Sequence, residues 1–167
     1  DTGRAGLNPQ DRGINLRNDF QVADPDFADR IRESYAKQGL MHHLGAIMTR
    51  VEAGLVEIEM PFTEVLSQQH GFFHAGGIAS IIDTAGGYAA ATLFGPDDGV
   101  LTVEFKLNLM SPAAGDLLIA RGEVIKPGRT LTVTKGEVFV RKNGTTKTCA
   151  LMQQTLMRIV GQSGIVG

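Results

Sequence analysis

Two features of this chain have residue types and spacing that could do chemistry. The first is Asp83. The apolar stretch at residues 76–94 carries no other acidic or basic side chain. A carboxylate buried without partners costs several kcal/mol or stays protonated, so such a group persists where something local satisfies it or where function requires it. The functional reading makes it a general base or a nucleophile. The simpler one makes it an Asp at a helix edge, partly wet and bonded to a neighbouring chain. The second feature is the approach to that stretch, Gln68-Gln69-His70-Gly71-Phe72-Phe73-His74-Ala75-Gly76-Gly77. A helix starting at about residues 75–77 presents free backbone N–H groups and the positive end of its dipole, and the glycines let a substrate come near the backbone. This is a candidate oxyanion hole for a carbonyl oxygen that becomes negative. Asp83 lies two turns further on, roughly 10–12 Å along the axis, which leaves room for a reacting group. Read alone, the same glycines could serve only tight packing.

Other candidates point away from metal and nucleophile chemistry. His70 and His74 are spaced i, i+4, which suits zinc only in a helix, and Gly71 with the entry glycines argues against one. The adjacent His42 and His43 cannot both face one site on a helix. No metal or cofactor is expected. No G-x-S-x-G, Walker or dinucleotide fingerprint occurs. Cys149 lies within a strand-like run and reads as a packed thiol. The turn Lys126-Pro127-Gly128-Arg129 reads as a solvated hairpin whose cations could hold a phosphate.

The elements that must position these residues follow from periodicity. Asp24-Pro25-Asp26 opens a helical pattern with Phe27, Ile31, Tyr35 and Leu40 on one face, ending near Gly39 or Gly45. Residues 46–60 read as one strand, with Val56, Ile58 and Met60 alternating with Glu57 and Glu59. Residues 62–75 form a loop, and 76–93 a helix apolar all round, as expected of one surrounded by protein. Its small residues Ala79, Gly86, Gly87 and Ala90 allow close backbone approach. After the turn Gly95-Pro96-Asp97-Asp98-Gly99 the period changes to two. Val103, Phe105, Leu107 and Leu109 alternate with Thr102, Glu104, Lys106 and Asn108. Three more strand runs, 116–126, 130–141 and 146–159, are split by residues 126–129 and by Lys142-Asn143-Gly144, a hairpin signal. A helix followed by strands on short turns predicts an antiparallel sheet of the α+β class.

Composition sets the outer bounds. The chain has 167 residues, 43% hydrophobic and 20% charged, with 21 Gly, no Trp and one Cys. That excludes a disordered tail, a fibrous repeat and a disulfide-stapled miniprotein. Lys+Arg 16 against Asp+Glu 18 gives a charge of -2, without the basic footprint of a nucleic-acid binder. The lone cysteine points to a reducing, cytoplasmic setting. Residues 1–23 show no signal-peptide pattern, and the Gly-rich, Asp-bearing stretch at 76–94 reads as a buried helix rather than a membrane span.

Residues 68–91, the run Val100-Leu-Thr-Val-Glu-Phe-Lys-Leu-Asn-Leu-Met-Ser-Pro112 and Gly128-Arg129-Thr130-Leu131 together resemble the hotdog-fold acyl-CoA thioesterases of the phenylacetate-pathway (PaaI-type) group, over roughly residues 45–158. The resemblance implies an antiparallel sheet wrapped around one long helix, assembly into homodimers and often tetramers, and active sites at the dimer interface. Position by position, it places the family's His-Gly-Gly helix entry on His74-Ala75-Gly76 and the general base or nucleophile on Asp83. The carbonyl-polarising N–H falls on Ala75, an amide side chain on Gln68, and a hydroxyl on Thr102, supplied across the dimer. Ala75 stands where many members have Gly, and it still supplies the N–H.

The implied substrate is an acyl-CoA, its small, medium or aromatic acyl group lined by Val103, Phe105 and the loop at 62–73, including Gly71, Phe72 and Phe73. Lys126 and Arg129 are expected at the CoA phosphates, with no nucleic-acid or membrane partner. The division expected is a flexible N-terminal segment 1–23, a hotdog domain 24–160 including the helix at 24–44, and a tail 161–167. Two alternatives stand beside hydrolysis. A noncatalytic acyl-CoA-binding module would need no base on the helix. A hotdog hydratase would pair the acid with a His five positions later, where this chain has Tyr88.

Overall fold

The computed structural model describes residues 20–161. The expected end segments 1–23 and 161–167 lie mostly outside this range. Phe20, at its start, already packs on the protein, with its ring against Gly54.

The N-terminal helical pattern resolves into two pieces, α1 (Phe27–Tyr35) and α2 (Gly39–His43). α1 buries Ile31 and Tyr35, as the periodicity implies, while Leu40 is exposed. The predicted single strand at 46–60 is instead a hairpin, β1 (Ile47–Glu52) and β2 (Leu55–Pro61), paired antiparallel. The break falls at Gly54, whose φ of 73° suits a turn residue without a side chain. α3 (Ala75–Ala91) is followed by β3 (Asp98–Leu109), β4 (Leu117–Lys126), β5 (Leu131–Lys142) and β6 (Thr145–Val160). The predicted Asn143-Gly144 turn has positive φ at both residues, 50° and 79°, the backbone of a tight primed hairpin. Among the described residues no helix is long and apolar enough to cross a membrane.

The six strands form one antiparallel sheet in the order β1-β2-β4-β5-β6-β3. α3 packs against β2, β4, β5, β3 and β6, so the sheet wraps the helix. The core is the inward stripe of the strands (Val56, Ile58, Leu118, Ala120, Val138, Met152, Leu156) closed on Ile81, Ile82 and Ala85 of the helix. Each fully buried aliphatic side chain contributes about 1.5–3 kcal/mol.

Close approach sets the helix height over the sheet. A Cβ on Gly122 would sit 2.5 Å from the backbone of Ala85 and Gly86. The obstacle is main chain, which cannot rotate away. Strand β3 is a sheet edge, and Leu101, Val103, Phe105 and Leu109 are each roughly half exposed on it.

Gly122→Ala should therefore push α3 off β4 and destabilise the fold by about 1–3 kcal/mol, read as a lower urea midpoint at unchanged m-value. An unchanged midpoint would show that the helix does not rest directly on this strand.

Candidate active site

The N-terminus of α3 is built by His74. Its backbone is extended (φ -68°, ψ 139°), its N–H donates to Leu66 O at 2.8 Å, and its ring Nδ1 accepts from Gly76 N–H at 2.8 Å. Accepting at Nδ1 fixes the proton of the neutral ring on Nε2. The His74 carbonyl takes Gly77 N–H at 3.0 Å and Ile78 N–H at 3.3 Å. The N–H of Ala75 has no acceptor among the described residues. The helix therefore starts with its first donors spent inside the chain except one, and that one sits where the dipole is most positive.

The loop before it is a small hairpin. Ser67 bridges Phe73, Gln68 N–H donates to Phe72 O at 2.9 Å, and Gly71 holds φ 77°. Phe73 is buried, edge-on to Phe62 at 5.1 Å. The Gln68 side-chain oxygen accepts from His70 N–H, so its amide is tied into this loop.

Asp83 lies two turns on, half-buried. Its Oδ1 accepts from Thr102 Oγ1 at 2.7 Å and from the Gln154 amide nitrogen. Gln154 Nε2 also donates to the Asp83 backbone oxygen at 3.2 Å and to Thr102 Oγ1 at 3.2 Å, while its Oε1 accepts from Thr134 Oγ1 at 3.1 Å. The donor sense is unambiguous: a carboxylate and a carbonyl only accept, so the amide must turn its nitrogen to Asp83. Thr134 must then donate to the amide oxygen. Oδ2 takes no donor among the described residues.

The resemblance implied a Thr102 hydroxyl supplied across the dimer; Thr102 bonds Asp83 of its own chain. Strict alternation also put Thr102 on the face opposite Phe105. A bulge at Val103 breaks the β3–β6 register, so Thr102 pairs with Leu156 and Phe105 with Gln154. Both partners point into the core, and cross-strand partners share a face. The bulge thus turns Thr102 toward the helix, a common use of bulges near active sites.

Two cavities flank the helix. One, of about 480 Å³, is lined by Asp83, Thr102, Tyr88, Val100 and Leu156. The other, of about 460 Å³, is lined by Gln68, Phe72, Phe73, Ala75 and Leu109. Within one chain, then, the acid and the free amide open into different cavities. Val103 and Phe105, expected as pocket lining, border neither and are each roughly half exposed on the edge strand. Gly76 and His74 are exposed at the helix start. Lys126 and Arg129 are exposed in the β4–β5 turn. Thr130 of that turn accepts from Arg158 N–H at 2.9 Å, and Arg158 pairs with Val100, so the turn stands at the Asp83 end of the sheet.

Gln154 escaped the sequence reading, and Gly86 was read only as a residue allowing close backbone approach. Gln154 is 1% exposed, a polar residue at an inward position between Met152 and Leu156, which is the signal that could have found it. Gly86 makes room for it: a Cβ there would lie 2.1 Å from Gln154 Oε1. Among the described residues no three His, Cys, Asp or Glu side chains cluster as metal ligands.

The sequence of residues 70–147 matches the thioesterase superfamily model. A crystal structure of a thioesterase family protein from Silicibacter pomeroyi is 44% identical, with a TM-score of 0.80 over 81% of this chain and 99% of that one. A Halobacterium salinarum protein provisionally named an esterase is 31% identical over 118 residues, 67% of this chain and 78% of its own. This chain belongs to the thioesterase superfamily. The PaaI protein of the E. coli phenylacetic acid degradation operon, 23% identical, superposes with a TM-score of 0.72 over 82% of this chain and 96% of that one. Its match is one of fold, the hotdog arrangement of sheet around helix. The thioesterase assignment makes this protein a thioester hydrolase, and its one cysteine is no rival nucleophile. Cys149 is fully buried, and burial pushes its thiol up to about 11.

Iodoacetamide should leave the native protein unlabelled at neutral pH and label Cys149 only after unfolding in urea, as followed by intact mass. Rapid labelling of the native thioesterase would place the thiol at an accessible site.

Proposed function

We propose that this thioesterase hydrolyses an acyl-CoA with a small or medium acyl group, aliphatic or aromatic, to the free acid and CoA. Asp83 is the general base or nucleophile, and the Ala75 N–H polarises the carbonyl. The observation that carries this reading is the Asp83 carboxylate, which lines a cavity with Oδ1 held by two donors and Oδ2 without a donor among the described residues. When Asp83 acts as base, Oδ2 takes a proton from water as the water oxygen bonds to the carbonyl carbon. The oxyanion that forms accepts from Ala75 N–H at the positive helix end. The C–S bond then breaks, and the thiolate of CoA takes up the proton. Gln68, at the second cavity, borders the thioester, and Lys126 and Arg129 supply charge for the CoA phosphates.

The two halves meet across a homodimer on this reading. The exposed apolar edge β3 supports it, since such an edge invites another strand. If β3 pairs antiparallel with its copy about a two-fold axis between Phe105 and Lys106, Thr102 falls opposite Leu109 of the partner subunit. Thr102 marks the Asp83 cavity and Leu109 the Ala75 cavity. Each complete site would then take its acid from one subunit and its oxyanion donor from the other.

Asp83→Asn keeps the shape and an acceptor, so it should fold normally and lose about 10²–10⁴-fold in kcat in a thiol-release assay over several acyl-CoAs. Near-full activity would refute the role.

Ala75→Pro removes only the proposed donor. Position 75 is the first helical residue, where proline is tolerated, and His74 before it is already extended. A loss of about 10²–10³-fold in kcat is expected. Co-refolding Asp83→Asn with Ala75→Pro should restore about a quarter of wild-type activity, because about half of the dimers are mixed and each of these regains one of its two sites. No recovery would place both groups in one chain's site.

A further inference from the structure

The cavity beside Asp83 has a polar far end that the hydrolysis itself does not use. Five residues along α3 from the acid, about 7.5 Å of axial rise, the buried Tyr88 lines the same cavity. Its hydroxyl bonds Ser34 Oγ at 3.0 Å and accepts from Gln38 Nε2 at 3.1 Å. Ser34 and Gln38 line the cavity too, carried there by α1 and the entry to α2.

The donors at this end outnumber their acceptors. The Ser34–Tyr88 bond uses one of two hydroxyl hydrogens, whichever residue donates. The other has no acceptor among the described residues, and neither has the second amide hydrogen of Gln38. Lys37 also lines the cavity and has no ion-pair partner among the described residues. Among the described residues, Asp83 and Lys37 are the only charged side chains on this wall. They define a negative pole at the chemistry and a positive pole beyond it. A plain alkyl chain would desolvate these donors and return no hydrogen bond. A carboxylate offers two oxygens with four acceptor sites and meets all of them.

We propose that this cavity is the acyl pocket and that it selects ω-carboxyacyl thioesters, with Lys37, Tyr88, Ser34 and Gln38 holding the distal carboxylate. The inference rests on Asp83 acting at the thioester. The same cationic end could take an anion from another source, a phosphate of CoA, and the substrates of the test separate the two.

The experiment measures kcat/KM for glutaryl-CoA and pentanoyl-CoA, and for the same two acyl groups as pantetheine thioesters, which lack the nucleotide phosphates. Wild type should favour glutaryl over pentanoyl by at least about tenfold, the scale of a charged hydrogen bond, in both series. Lys37→Met should cut the glutaryl-to-pentanoyl ratio about tenfold in both, and Lys37→Arg should retain most of it. Lys37 is exposed, so neither change threatens the fold. Equal or better use of pentanoyl thioesters overturns the proposal. So does a Lys37→Met loss that is equal for both acyl groups and vanishes with pantetheine thioesters, which would assign the cation to CoA. Unimpaired hydrolysis by Asp83→Asn is a separate failure, that of the site reading beneath the inference.

Discussion

The arrangement depends on how one amide is wedged between helix and sheet. Gln154, on β6, reaches up to Asp83 through the space left by a missing side chain at Gly86. Without that contact the carboxylate would be a half-buried charge held by a single hydroxyl, and its rotamer would be free. With it, one oxygen is fixed by Thr102 and Gln154 together, and the other is left unclaimed. The amide is itself oriented by Thr134 from β5, so three strands and the helix agree on one position. Gly122 and Gly136 act in the same sense, since a Cβ on either would strike the helix backbone or Ile82. A helix standing even 1 Å higher would lengthen every bond to Asp83 beyond useful hydrogen-bond range.

The helix start is fixed by different means. His74 is both the capping residue and the anchor to the preceding loop, because its N–H is tied to Leu66 and its ring to Gly76. Capping by the ring removes Gly76 N–H from competition and leaves Ala75 N–H as the donor without a partner among the described residues. This explains why alanine serves where the resembling family more often has glycine. The residue need only enter a right-handed helix, and its methyl group does not block its own N–H. The proposed oxyanion donor is thus a by-product of how the helix is capped, and the proposed acid is a product of how it is packed.

What could be read from the sequence follows the range of the forces involved. The long helix, the strand run after it and the Asn143-Gly144 turn are short-range patterns, and they appear within a residue or two of where periodicity places them. Asp83 stood out because a lone carboxylate in an apolar helix is a local anomaly. The hairpin at Gly54 was missed because apolar residues on both sides mask a turn carried by one glycine and the packing of Phe20. Thr102 was read on the wrong face because a bulge shifts alternation by one residue, and a bulge is decided by pairing with β6, not by β3 itself. Gln154 sits 71 residues from Asp83. Nothing local connects them; only the strand order β5-β6-β3 does.

The position five residues after the acid separates hydrolysis from the hydratase alternative on physical grounds. A hydratase-type pair would need a group there able to exchange protons with substrate near neutral pH. Tyr88 is buried, edge-on to Tyr35 at 6.0 Å, and its hydroxyl is engaged by Ser34 and Gln38. A phenol in that setting is taken up with offering and accepting hydrogen bonds. It suits a wall that recognises a bound group better than a centre that moves protons. The noncatalytic alternative meets a different difficulty. A binding module gains nothing from a half-buried carboxylate at the cavity with one oxygen left without a donor among the described residues, whose desolvation works against the fold. Gln154, Thr102 and Gly86 hold that carboxylate in place at the cost of a polar group in the core and a glycine in the helix, which is the pattern expected where local stability is given up for chemistry.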